Sequence, residues 1–163
     1  MSRIIKNNAI VDDSWVRLSN VTAMSELPAG NVIVPLAFWQ ANRVPLQTRG
    51  NVGVCLDSAD DARSVHQDLA QLPLIAVNFS VFSDGRGYST ARILRDQYQF
   101  QGEIRAVGDV LEDQLFYLRR CGFDAFALRD NDKYEQAIKR LNDFAYTYQA
   151  GADDARPLFA RRA

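Results

Sequence analysis

Five short apolar runs, each separated from the next by a longer stretch, set the terms on which this chain can fold. They are residues 32–39, 52–56, 74–79, 103–107 and 123–128. Between and after them apolar residues recur at helical spacing: Ala62, Val65, Leu69 and Leu72; Ala91, Leu94 and Tyr98; Leu111, Leu115 and Leu118; Tyr134, Ile138, Leu141, Phe144 and Tyr148. A strand that returns through an amphipathic helix pairs in parallel with the strand before it. The expected fold is therefore α/β: a five-stranded, mainly parallel sheet flanked by helices, doubly wound in the Rossmann or flavodoxin manner. A partial (β/α) barrel is the alternative, since a full barrel of eight units needs roughly 250 residues and this chain has 163.

An N-terminal β-hairpin precedes the alternating part. Residues 3–6 and 9–11 flank Asn7-Asn8, and asparagine tolerates the left-handed backbone that a tight hairpin turn requires. Trp15, Val16 and Leu18 continue as an edge element. Pro35 lacks an N–H donor and argues for a strand end or sheet edge in the first apolar run. The reading is one α/β domain over 1–149, with the hairpin and edge element in 1–20. A flexible tail follows over 150–163, carrying Gly151, Asp153, Asp154 and Pro157 before Leu158-Phe159 and its arginines.

Charge and cysteine usage narrow the function classes. Nineteen Lys and Arg against 20 Asp and Glu give a formal charge of −1, so no whole-protein field draws the chain to nucleic acid or an anionic membrane. No apolar run reaches membrane-span length, and residues 1–6 lack the apolar core of a signal peptide, which points to the cytoplasm. Cys55 and Cys121 form no CxxC and no zinc spacing, and His66 is the one histidine. Two reduced, buried thiols and no metal site are expected.

The densest candidate site is Phe82-Ser83-Asp84-Gly85-Arg86-Gly87-Tyr88-Ser89-Thr90-Ala91-Arg92, directly behind the third strand. A helix beginning at Ser89 or Thr90 would bring free N–H groups, the Gly85 and Gly87 backbone and the Arg86 guanidinium together as an anion site. In the plainer reading the segment is a tight turn with Asp84 and Arg86 paired. It matches neither GxGxxG nor a P-loop. At the next strand end, Gly108-Asp109 with Glu112 and Asp113 gathers carboxylates: Asp109 and Asp113 are the weak candidates for proton transfer, against a plain N-cap role for Asp109. Gly122 suits a helix C-cap after Arg119-Arg120-Cys121. Tyr88, Tyr98, Phe116 and Tyr117 suit either a stacked flat cofactor or the core.

The segments FxDGRGYSxAR, residues 82–92, and RAVGDVxxDQ, residues 105–114, resemble an uncharacterised bacterial family often labelled an oxidoreductase involved in sulfite reduction. The likeness runs from Ile4-Ile5 to Tyr148. It implies a role in sulfur assimilation, because members are commonly encoded near the haem and iron–sulfur subunit of assimilatory sulfite reductase. It supplies no catalytic residues; it marks Asp84, Gly85, Arg86, Gly87, Tyr88, Ser89, Arg92, Arg105, Gly108, Asp109, Asp113 and Gln114 as the positions to test. No motif encodes a cofactor, and the cysteines of an iron–sulfur cluster or redox dithiol are missing from the sequence.

The first functional expectation is an accessory protein that docks to sulfite reductase or to its electron donor. The alternative is a small α/β enzyme holding an anionic or flavin-type ligand at the strand C-terminal rim, with Asp84, Tyr88, Arg92, Arg105, Gly108 and Gln114 around the pocket. A third is a structural module that assembles as a homo-oligomer.

Overall fold

The computed structural model describes residues 2–142, 151–154 and 156. Eight strands form one sheet in the order β2-β1-β8-β7-β6-β5-β4-β3. They are β1 (Arg3–Lys6), β2 (Ala9–Asp12), β3 (Trp15–Arg17), β4 (Asn31–Pro35), β5 (Val52–Leu56), β6 (Leu74–Phe79), β7 (Glu103–Gly108) and β8 (Ala125–Phe126). From β3 to β8 every neighbouring pair is parallel, and the hairpin adds β1 antiparallel to β8 and β2 antiparallel to β1. Asn7 and Asn8, at φ 52° and 58°, make the left-handed hairpin turn expected of them.

The strand order decides between the two expected architectures. A doubly wound sheet reverses its order at a switch point. Here β3 to β8 follow one another without reversal, so right-handed crossovers carry the connecting segments to a single face. The partial barrel is the architecture that fits. Curvature follows from chain length, because the edge strands β2 and β3 are separated by Asp13 and Ser14 alone. Three peptide spans reach at most about 11 Å, whereas the edges of a flat eight-stranded sheet would lie about 33 Å apart. The sheet must curl.

Helices cover the convex side: α1 (Leu36–Ala41), α2 (Arg43–Arg49), α3 (Arg86–Arg92), α4 (Leu115–Cys121) and α5 (Tyr134–Leu141). Strand alternation divides the apolar residues accordingly. Val32, Val34, Val54, Leu56, Ile75, Val77, Ile104 and Phe126 belong to the main core with Trp39, Leu46, Leu94, Leu115, Leu118 and Leu141. Ile33, Leu74, Ala76 and Val107 form a second, smaller cluster with Trp15, Cys55 and Ala127 on the concave side. Asp68, a buried carboxylate among the helices, accepts from Trp39 Nε1 at 3.0 Å and pairs with Arg43 at 3.2 Å. It ties α1 and α2 to the 3-10 helix Ala62–Asp68.

Several local expectations shift. The run 32–39 is a strand only to Pro35, which becomes the N-cap of α1, so Leu36, Phe38 and Trp39 are buried from a helix. The fifth run shortens to Ala125–Phe126. The stripe from Ala62 to Leu72 forms a 3-10 helix only over Ala62–Asp68, with Leu69 and Leu72 beyond its end, instead of an α-helix. Gly85 caps α3, which places Ser89 and Thr90 inside the helix, and Gln114 takes the α4 N-cap position assigned to Asp109. Gly122 ends α4 in the left-handed region at φ 112°, as expected. Phe144, Tyr148 and residues 157–163 of the tail lie outside the described residues. Within the tail, the Ala152 N–H donates to Arg120 O at 2.9 Å, and Asp153 pairs with Arg120 at 2.9 Å.

Candidate functional site

Parallel strands point their C-terminal ends at one rim, where (β/α) folds assemble their sites. Two groups of residues meet there. The outer group is built on the turn that follows β6. Asp84 N–H donates to Val81 O at 3.0 Å and closes the turn, and two side chains then hold its tip. Asp109 Oδ2 accepts the Phe82 N–H at 2.9 Å, and Gln114 Nε2 donates to Phe82 O at 3.0 Å. Gln114 is itself oriented by accepting the Leu111 N–H at 3.0 Å, and Asp109 by Arg129 Nη1 at 2.7 Å. The Phe82 backbone is thus satisfied on both sides while its ring stays 55% exposed beside Val81 at 52%. One turn beyond Gln114, exposed Tyr117 packs on Tyr88, their ring centres 5.2 Å apart.

The predicted anion loop lies next to this turn. Arg86 donates from Nε and Nη2 to the two oxygens of Asp84 at 3.0 and 2.7 Å, and from Nη2 to Ser58 at 3.3 Å. The hydrogen bonds from Arg86 first, and then one from Ser58 to Asp84, hold the Asp84 carboxyl well below the usual carboxylate range. Gly85 and Gly87 do not use positive φ. Gly87 is needed instead for close approach, since a Cβ there would lie 2.7 Å from the Phe79 ring. Tyr88 rests edge-on against that ring at 5.4 Å, and burial raises its hydroxyl's pKa. Ser89 is exposed on α3, Arg92 pairs with Asp96 at 2.7 Å, and Asp113 is exposed at the approach to α4.

The inner group lies on the concave face. Arg105 projects from the middle of β7 and is only 2% exposed. Its Nη1 donates to both oxygens of Asp13 at 2.8 and 2.9 Å, and its Nε to Glu103 at 2.7 Å; Glu103 also takes Lys6 at 2.6 Å. This chain of charges joins β1, β7 and the link between β2 and β3. Across the concavity, Asp57 accepts Asn78 Nδ2 at 2.7 Å, which leaves Asn78 Oδ1 to accept Arg17 Nη1 at 3.2 Å. Cys55 lies beside Arg17, and burial pushes its thiol up to about 11 against the opposing effect of that guanidinium. Cys55, half-buried, and Cys121, buried, are both free cysteines.

A cavity of about 330 Å³ opens between these groups, lined by Asp13, Arg17, Ile33, Arg105, Val107, Gly108, Ala127, Leu128 and Arg129. A smaller one of about 140 Å³ adjoins it through Arg17 and is lined also by Cys55, Asp57 and Asn78. Gly108 sits between the inner and outer groups at φ 91°, where a Cβ would meet Asn78 Oδ1 and Phe79 O at 2.5 Å. Among the described residues no group of three or more His, Cys, Asp or Glu is placed to hold a metal ion.

Of the positions expected from sequence, the rim brings Asp84, Gly108, Asp109 and Gln114 to one turn, and Arg105 to the cavity behind it. The strand-end rule also places the Arg129-Asp130 end on this rim, where Arg129 meets Asp109; Asp13, Arg17 and Asn78 are the site residues that sequence reasoning does not reach. A signal exists for Asn78: like Arg105 in the run 103–107, it is a polar residue within an apolar run, 74–79, at a position that alternates with core residues. That pattern marks a strand with one face outside the main core.

No helix among the described residues is long and apolar enough to cross a membrane. No curated protein and no solved structure matches the chain. The model of one family does, over residues 53–159, from β5 through the rim turn and α4 to the tail. That span is more than half of the chain, and the protein belongs to the family described as a bacterial protein of unknown function, DUF934.

Proposed function

We propose that this protein is a cytoplasmic accessory factor of assimilatory sulfite reduction, and that it docks to sulfite reductase or its electron donor through the rim around Phe82. The observation that carries the docking half is the exposed Phe82 ring on a backbone held by Asp109 and Gln114. Aromatic anchors dominate interface energetics when they are presented without an ordering cost, because immobilising a free side chain or loop on binding subtracts from affinity. Val81 and Tyr117 extend the apolar surface, and Asp84, Arg86 and Arg129 supply a charged border. The partner half rests on the resemblance of the 82–92 and 105–114 segments to the sulfite-reduction family.

A pull-down from sulfate-grown cells tests both halves. Wild-type bait is expected to retain the reductase or its donor, and Phe82→Ser bait to lose it. Failure of folded wild-type bait to retain either would remove the reading. A wild-type dimer that Phe82→Ser converts to monomer would assign the rim to self-association instead. Growth of a deletion strain is expected to fail on sulfate and sulfite and to recover on sulfide and cysteine.

A further inference from the structure

Three guanidinium groups reach the 330 Å³ cavity at the strand ends from three separate elements: Arg17 from β3, Arg105 from β7 and Arg129 from the segment after β8. One carboxylate, Asp13, shares the lining with them. Asp109 and Asp130 pair with Arg129 from outside the lining set. Arg17 has no carboxylate within ion-pair distance among the described residues; its hydrogen bond goes to the neutral amide of Asn78. Arg105 is fully desolvated and fixed through Nε and Nη1, while Nη2 makes none of these bonds. Glu103 pairs with Arg105 from behind the lining as well, so the charge left without a carboxylate is that of Arg17, and the surface turned to the cavity presents three guanidinium groups and one carboxylate, an arrangement that attracts anions.

Planar guanidinium groups match the geometry of oxyanions, and a fork held rigid by second partners loses little freedom on binding. Both inner arginines are held in this way, Arg105 by Asp13 and Glu103, and Arg17 by the Asp57–Asn78 pair. The remaining lining is Gly108 and the apolar side chains of Ile33, Val107, Ala127 and Leu128. The volume lies at the lower end of the roughly 300–1,000 Å³ of small-molecule sites, so the cavity has room for more than an isolated ion.

We propose that this cavity binds a small dianionic oxyanion carried on a short organic body, of which a phosphate monoester is the type, with Arg17, Arg105 and Arg129 around the oxyanion and the apolar residues against the body. The site shares Arg129 with the docking rim, but its test reads anion binding alone and does not depend on the docking reading. Arg17 precedes the segment that the family model matches, whereas Arg105 and Arg129 fall within it.

Calorimetric titration of the whole chain with glycerol 3-phosphate, inorganic phosphate and sulfate, at fixed ionic strength, tests the proposal. Glycerol 3-phosphate is expected to bind at one site, more tightly than either inorganic ion. Arg17→Gln and Arg129→Gln are each expected to weaken it by about tenfold or more, the loss of a charge-assisted hydrogen bond. Both residues are exposed, so these variants keep the buried Arg105 network, and circular dichroism checks that they fold. Absence of binding for all three anions at millimolar concentration would overturn the proposal. So would unchanged affinity in both variants. Loss of binding on Arg86→Gln alone would also overturn it and move the anion to the turn at Gly85 and Gly87. Equal, weak binding of all three anions would reduce the site to a general anion sink and refute the organic body.

Discussion

Arg105, in the middle of β7, donates from a single nitrogen to both carboxylate oxygens of Asp13, at 2.8 and 2.9 Å. That contact fastens the two-residue link between the edge strands to the inside of the sheet, 92 residues away in sequence. It holds the curl that the short link imposes.

Removing this tie should be costly. Asp13→Ala leaves a desolvated guanidinium with Glu103 as its remaining carboxylate partner, and breaking one partner out of a buried pair costs about 3 kcal/mol. Urea unfolding should show a lower midpoint with an unchanged slope. An Asp13→Leu, Glu103→Gln, Arg105→Met triple variant should recover much of the loss, because it removes the buried charges of the network together. A triple variant weaker than Asp13→Ala would disprove the desolvation account.

Gly108 and Gly30 have nearly the same φ, 91° and 93°, in different surroundings. A Cβ at Gly30 meets nothing within 4 Å, whereas at Gly108 it meets Asn78 Oδ1 and Phe79 O at 2.5 Å. Gly30→Ala should therefore cost about 1 kcal/mol of backbone strain. Gly108→Ala should cost about 1–3 kcal/mol more. Thermal melts of the two variants isolate the steric part; equal losses would mean that the β7 end yields freely.

The hold on Phe82 can be read by amide exchange. Asp109→Ala removes the acceptor of the Phe82 N–H and one partner of Arg129, a loss of about 1 kcal/mol per hydrogen bond. The Phe82 amide should exchange about fivefold faster or more, with the β5 and β6 amides unaffected. Gln114→Ala should act in the same direction more weakly. Unchanged protection in both variants would mean that the turn orders itself.

Cys55 predicts an alkaline loss of stability. Its ordinary thiol value is 9.0, and burial raises it to about 11 in the folded chain. Between those values the unfolded state gives up its proton and the folded state keeps it. Stability must therefore fall as pH rises through that window. Cys55→Ala should flatten this part of the profile, and the wild-type thiol should resist alkylation near neutral pH. A profile equally steep without Cys55 would assign the loss to other groups, among them Tyr134, whose hydroxyl burial also raises.

Local sequence specifies the alternation of strands and helices, the Asn7-Asn8 hairpin, β5 and β6 to the residue and the left-handed Gly122 cap. Each of these depends on nearest neighbours: side-chain periodicity, turn preference and cap chemistry act over a few residues. The tertiary structure decided the strand order, the curl and the membership of the site. Ser89 sits where a helix start is expected, yet α3 begins three residues earlier, and Gly87 in its first turn passes close to the Phe79 ring, a contact made across the fold. Asp109 looks like a cap, yet it bonds to Phe82 and Arg129, residues brought to it by two other turns of the chain. Arg17 carries no local mark of function. It meets Arg105 and Arg129 at one cavity only because a two-residue link forces the edges of an eight-stranded sheet toward each other, and that closure belongs to the whole chain rather than to any window of it.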